Sequence, residues 1–313
     1  MNAQTLKKHY PWITLVVLIV VVGLFNPDFF RPSSLLQAAD GMAKIFIVAM
    51  GMTFAIYIGG IDLSSQQMAN MVTVITVISL ASLGPWTPIF CVLCGLLFGA
   101  LSGYITAYWK VPSFIATLAV GGVVFSIGQY ASGQRAISMD ATLREDHLGW
   151  LLHDVFGFPV QLLVALILLG VAYFIERRTI IGRALKAIGA GESAAIASGL
   201  NVNGYKIAAF AISGVFAAIA GLMFAVEQAA GSPTMADGLL LPAIVAVLVG
   251  GTPLTGGVGG VLNTFIGAMI VAVVRTSMIY LEIDPVQQQI FFGLVLIAAI
   301  ALTIDRTKLQ IVK

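Results

Sequence analysis

Long apolar runs of about 17 to 25 residues recur from one end of this chain to the other, with polar breaks between them. At about 1.5 Å per residue, such a run coiled as an α-helix crosses a hydrocarbon core of roughly 30 Å. The pattern predicts about ten helical spans, at residues 10–25, 44–58, 66–83, 88–109, 114–130, 159–175, 207–226, 239–249, 261–280 and 288–304. The eighth would be only about 16 Å long and cannot cross alone. No stretch remains for a second, water-soluble domain, so residues 1–313 read as a single all-α, polytopic membrane helix bundle.

Composition agrees. Hydrophobic residues make up 59% of the chain and charged residues only 10%, against about 25% charged in an ordinary soluble domain; the mean hydropathy is +1.00. The net charge of +2 says little. Its placement says more. With the N-terminus inside and the spans alternating in direction, Lys7, Lys8, Lys110, Arg177, Arg178, Arg183, Lys186, Lys206, Arg306, Lys308 and Lys313 fall on the inner side. Arg31, Lys44, Arg135 and Arg144 fall outside, and Arg275 lies within the ninth span near its outer end. That bias toward the inside predicts cytoplasmic N- and C-termini. The opening "KKHYPWITLVVLIVVVGLFN" runs into "NPDFF" with no small-x-small cleavage site, so it reads as an uncleaved first span. Cys91 and Cys94 form a CxxC inside the fourth span, where two small buried hydrophobes are expected rather than a redox or zinc site.

The interruptions carry the chemistry. Residues 131–158, on the outer side, contain "RAISMDATLREDHLGW", which suits either a solvated loop with a short helix or a docking surface for an external partner. Residues 176–206, on the inner side, are too polar for lipid, and residues 191–199 within them read as a short Ala- and Ser-rich helix between glycines. Its slim profile suits a groove on another protein, or simply a connector. The run "LVGGTPLTGGVGG" at residues 248–260 lacks the Gly-Lys-Ser/Thr of a P-loop, with Gly257 where the lysine should stand. Gly250, Gly251, Gly256 and Gly257 therefore read as a helix break with close packing. Re-entry of the short eighth run would carry Arg306, Lys308 and Lys313 outside, so an interrupted crossing, completed at its outer end by residues around Gly238, is expected.

A second break has the same shape. "AIYIGGIDLSSQQMANM" places Gly59 and Gly60 after the second span, then Asp62, Ser64 and Ser65 where the third begins. Helix capping is one reading of those three residues. The other is a polar path, because Gln66, Asn70 and Thr73 follow at spacings of four and three on one helix face, which in a bilayer looks into the bundle or a wet cavity. Broken helices with polar stripes are where transporters place substrate routes. Arg275 shares a face with Thr264, Ala268 and Val271 and either snorkels to the interface or lines the outer mouth. No intramembrane carboxylate pair, His relay or Ser/His/Asp set is present, which disfavours membrane-embedded catalysis and proton coupling.

Five blocks then add a resemblance. "NPDFF", "AMGMTFAIYIGGIDLSS", "KVPSFIATLAV", "GRALKAIGAGESAAIASGLNV" and "LVGGTPLTGGVGG" stand in the order and spacing of ribose-type ABC importer permeases, over roughly residues 26–305. The chain resembles that family closely enough to imply a bacterial inner-membrane subunit for sugars or related small polar solutes, with no catalytic residue of its own. The resemblance implies a pore of two permease subunits, identical or paired with a sister, a periplasmic solute-binding protein outside and a cytoplasmic ABC ATPase inside. It implies no cofactor, metal or nucleic acid. Within the inner segment it implies ATPase-coupling positions at Arg183, Gly189, Glu192, Ala194, Ala195 and Gly199. It leaves Asp62, Ser64, Ser65, Gln66, Asn70, Thr73 and Arg275 as pathway candidates. The chain departs from the family at Ser65 and Gln66, where Val-Gly is usual, at Leu240, Leu241 and Pro242, which stand where an acidic residue usually precedes the second glycine block, and at Gly191, where Asn is usual. Nucleosides stay open as cargo, and the other classes compatible with a polytopic helix bundle are an ion-coupled secondary transporter and a lipid-modifying membrane enzyme.

Overall fold

The computed structural model describes residues 3–25, 27–280, 284, 287–294 and 297. The chain is built almost wholly of helices: α1 (Ala3–Phe25), α2 (Pro32–Tyr57), α3 (Ser65–Leu83), α4 (Thr87–Tyr108), α5 (Ser113–Ser132), α6 (Ala141–Leu148), α7 (Val160–Arg178), α8 (Ile180–Ala190), α9 (Glu192–Ala197), α10 (Val202–Gln228), α11 (Leu240–Val249) and α12 (Val261–Tyr280). Two-residue strands β1 (Ile137–Ser138) and β4 (Ala230–Gly231) pair antiparallel, as do β2 (Asp154–Val155) and β3 (Phe158–Pro159). Among the described residues, six helical stretches are long and apolar enough to cross a membrane. One of them, Ser65–Tyr108, joins α3 and α4 through a single 3-10 turn, while Pro11–Leu24 and Leu240–Val249 are shorter apolar helices. The last expected span, residues 288–304, falls mostly outside the described residues.

α2 is the central post. From Met42 to Tyr57 every residue is buried, as a helix apolar on all sides requires. α10, α12, α11 and α7 pack around it. α10 also lies along α4, where Gly95 backs onto Gly214 with no room for a side chain on either, a close approach of the kind that holds membrane helices together without a hydrophobic drive. The far faces of α4 and α5 leave Leu93, Leu97, Leu101, Ile115, Leu118 and Val123 exposed, a surface suited to lipid rather than water.

Two expectations need correction. α2 starts at Pro32, well before residue 44, so Lys44 is not an outer-side flank. It lies inside the bundle, 3% exposed, donating to Gln161 Oε1 at 2.9 Å and ion-paired with Glu227. A buried ammonium persists only with such partners. The stretch before α11 is not an outer completion of that helix either. After β4, residues 233–238 run through turns, and Gly238 has φ +98.

The segment at 131–158 is ordered. Asp140 caps α6 by accepting from the Leu143 amide at 2.9 Å. Arg144 donates from Nε to the Val226 carbonyl at 2.7 Å and from Nη2 to the Glu227 carbonyl at 3.4 Å, which satisfies the last turn of α10. The β2–β3 hairpin carries Phe156, 97% exposed, at its tip.

Candidate functional site

The expected site residues fall largely around the two ends of the short helix α11. At its amino end the stripe on α3 meets the non-helical residues 232–239. Thr73 Oγ1 accepts from the Ser232 amide at 3.0 Å and donates to the Ser232 carbonyl at 2.9 Å. Asn70 Oδ1 accepts from the Ala236 amide at 2.6 Å, and Gln66 Oε1 from the amides of Gly238 and Leu240 at 3.1 and 3.3 Å. Amides that leave regular structure within a bundle need partners, and three residues spaced four and three along one helix face supply them. Asp237, exposed, completes the group. Its Oδ1 accepts from Asn70 Nδ2 at 2.8 Å and from Gln66 Nε2 at 3.2 Å. The result is a carboxylate flanked by two amides, able to exchange hydrogen bonds with hydroxyl groups.

Asp62, Ser64 and Ser65 do not join this group. Asp62 is 1% exposed. Its Oδ1 accepts from the Ser64 amide at 2.9 Å and Ser64 Oγ at 2.6 Å, and its Oδ2 from Ser213 Oγ on α10 at 2.6 Å. Ser65 Oγ lies 3.5 Å from Ser213 Oγ. The carboxylate thus folds the entry to α3 onto α10. Ser64 stands at the N-cap position, and its own side chain caps no helix amide. The extended backbone before it is held by α5: the amide of Ile61 donates to Ser113 Oγ and that of Leu63 to Thr117 Oγ1, both at 3.0 Å. Arg275 is exposed on α12, about 21 Å along the helix axis from Val261, and belongs to neither group.

At the carboxyl end of α11 the glycine-rich loop folds against the end of α2 and against α8. Gly257, at φ +77, donates its amide to the Tyr57 carbonyl at 2.9 Å. Gly189 of α8 sits directly on the Tyr57 carbonyl and the Gly257 amide, where a Cβ would overlap both. Gly59, Gly251 and Gly256 also take positive φ, whereas Gly60 and Gly250 do not. α8 and α9 project from this contact. On α8, Gly182 and Gly189 turn inward, while Arg183, Ala187 and Ala190 are exposed. On α9, Ala195 is buried in a small cluster with Ile188 and Val202, leaving Glu192, Ser193, Ala194 and Ile196 exposed. Glu192 is held at 2.8 Å by Lys206, and Gly199 closes the turn at φ +82. The six expected coupling positions therefore divide: Gly189 and Ala195 pack inward, and Arg183, Glu192, Ala194 and Gly199 face out.

Cys91 is buried 3.4 Å from Thr76 Oγ1 and Cys94 is half-buried, both as free thiols. Sequence reasoning missed Asp237, Ser213 and Glu227. Asp237 was open to detection as an acid beside a short apolar run, but its contact with α3 joins positions far apart in the chain.

The family profile described as branched-chain amino acid transport system / permease component matches residues 35–300. The ribose import permease protein RbsC of Haemophilus influenzae is 36% identical, the match covering 94% of this chain and 92% of that protein. A probable ABC transporter permease protein of Escherichia coli K12, YphD, is 30% identical over 97% of this chain and 93% of its own. The xylose transport system permease protein XylH of the same strain is 33% identical over 81% and 80%. No solved structure matches the chain significantly.

Proposed function

We propose, from the premise that the chain belongs to the family of branched-chain amino acid transport system permease components, that it carries a sugar or sugar-like small polar solute across the inner membrane of a bacterium at the expense of ATP. As a member of that family it is a multi-pass membrane permease subunit and not itself an enzyme. The cargo class rests on the ribose and xylose permeases it resembles. The exposed Asp237, with Gln66 and Asn70 beside it, suits hydroxyl-rich solutes. Residues 1–313 act as one transmembrane domain of about ten crossings with both termini in the cytoplasm. Two permease subunits, identical or sister chains, form the pore; Gln66, Asn70 and Thr73 border the route, with Asp62, Ser64 and Ser65 beneath them and Arg275 at the outer mouth. Residues 131–158 face the periplasm and receive the solute-binding protein.

The observation that carries this reading is the two-faced α8–α9 pair: α8 is seated on the end of α2 and the glycine loop and α9 on Ile188 and Val202, and the opposite face is exposed, with Ala187, Ala190, Ser193 and Ala194 beside Arg183, Glu192 and Ile196. Such a pair is a lever. A cytoplasmic ABC ATPase gripping Arg183, Glu192, Ala194 and Gly199 closes on ATP and moves it as a rigid body. Gly189 and Ala195 hold the lever to the bundle, so the two permease subunits rock and the cavity opens to the other side. The glycines at both breaks allow that rocking.

The test is uptake of labelled ribose and xylose into vesicles holding this permease, its ATPase and its binding protein. Uptake that requires ATP, stops with vanadate and survives a protonophore is expected. Uptake that runs without ATP and collapses with the ion gradient would overturn the reading in favour of a secondary transporter.

A further inference from the structure

Glu176, the buried carboxylate near the end of α7, joins several elements beside the glycine loop. Its side chain is 1% exposed. Its Oε2 accepts from the amide of Val261, the first residue of α12, at 2.8 Å, and its Oε1 accepts from Lys186 Nζ of α8 at 2.6 Å. Arg177 Nε lies 3.6 Å from the same oxygen. Lys186 in turn donates to the Gly259 carbonyl at 2.9 Å and stands 4.8 Å from the centre of the Tyr57 ring. Gly182, one turn before Lys186, rests on the backbone of Glu176, and Gly189 rests on Tyr57. Positions 182, 186 and 189 form one face of α8. A single ion pair thus joins α7, α8, the end of α2, the glycine loop and the start of α12.

The placement has two physical consequences. A carboxylate at the first turn of α12 meets a free amide and the positive end of the helix dipole, so Glu176 and the start of α12 are bound to each other. A buried charge stripped of its partner is costly, so a shift of α8 that drew Lys186 away would be opposed unless Glu176 and the first turn of α12 came with it. Without that tie, a displacement of α8 would have to pass to α12 through residues 250–260, which join α11 to α12 and in which Gly251, Gly256, Gly257 and Gly259 take positive φ.

We propose that the Glu176–Lys186 pair is the joint that makes α8 and the amino end of α12 move as one body, so that displacement of α8–α9 reaches α12 and α11 instead of being absorbed in the glycine loop. Both are positioning residues that touch neither solute nor ATPase. This rests on the reading of α8–α9 as the ATPase contact.

The experiment uses the complete importer in vesicles and measures solute taken up per ATP hydrolysed at equal amounts of assembled complex. Glu176→Gln keeps an acceptor for Val261 but removes the charge, and Lys186→Met keeps the length but removes the ion pair. Each is expected to assemble with the ATPase and to lower the ratio about tenfold, the size of an ordinary coupling between sites. Lys186→Arg should hold the ratio near that of the parent. A parental ratio in Lys186→Met overturns the joint. Failure of both charge-removing variants to accumulate, with Lys186→Arg normal, assigns the pair to folding alone and overturns it too. Glu192→Arg separates the two layers. If it leaves ATPase association and uptake intact, the docking reading fails; if it abolishes association while Lys186→Met keeps the parental ratio, only the joint fails.

Discussion

The two ends of α11 solve one problem in opposite ways. Each must leave helical geometry inside the bundle without stranding backbone groups. At the amino end, side chains of α3 do the work: Thr73, Asn70 and Gln66 take the amides of Ser232, Ala236, Gly238 and Leu240. At the carboxyl end, backbone meets backbone, with Gly257 on the Tyr57 carbonyl and Gly189 pressed against both. Side-chain hydrogen bonds can be exchanged for water or for a solute hydroxyl at little net cost. A contact that exists because a Cβ is missing cannot be exchanged at all. One end is therefore built to let go and the other to hold.

Substitutions at the holding end should be the most damaging. Gly189→Val puts a branched side chain into the Tyr57 carbonyl and the Gly257 amide, both backbone groups, and is expected to cost about 3 kcal/mol or more. Thermal unfolding of the purified permease should show the drop. Next comes Asn70→Leu, which keeps the branched outline and the number of heavy atoms but strips a buried amide of its acceptor and Asp237 of a donor. A loss of about 1–3 kcal/mol is expected, smaller than for Gly189→Val in the same assay. Gln66→Ala frees two half-buried amides that water can reach, at a cost of about 1 kcal/mol. Smallest is Asp237→Asn, which retains an acceptor on an exposed side chain. Stability should stay within about 0.5 kcal/mol while the rate of sugar uptake falls. Equal losses from Gly189→Val and Gln66→Ala would dissolve the contrast between the two ends.

The legibility of each end in the sequence follows from its physics. The stripe Gln66, Asn70 and Thr73 was readable because helix periodicity alone puts these residues on one face. Its partner was not, because residues 232–239 look like the flank of an apolar helix and their contact with α3 depends on the packed bundle. The glycines were readable as a break, but nothing local to residues 248–260 announces that Tyr57 and Gly189 sit behind them. Lys44 was misplaced for a related reason: a lysine in an apolar run reads as a boundary until Glu227, on a distant helix, is seen to pair with it. The charge rule uses sign and spacing, and a buried pair defeats both. The long helices themselves needed nothing beyond apolar length, which is why α3, α4, α5 and α12 begin within a residue or so of where the pattern puts them.

The sidedness of the α8–α9 surface is the claim on which the lever and the ATPase contact both stand. It is tested most directly by a Ser193→Cys variant carrying Cys91→Ala and Cys94→Ala, exposed to a membrane-impermeant thiol reagent. Ser193 is exposed on α9. Labelling should be absent in intact cells, appear once the membrane is opened, and fall again when the ATPase is bound. Ready labelling from outside in sealed, leak-controlled cells would contradict the account.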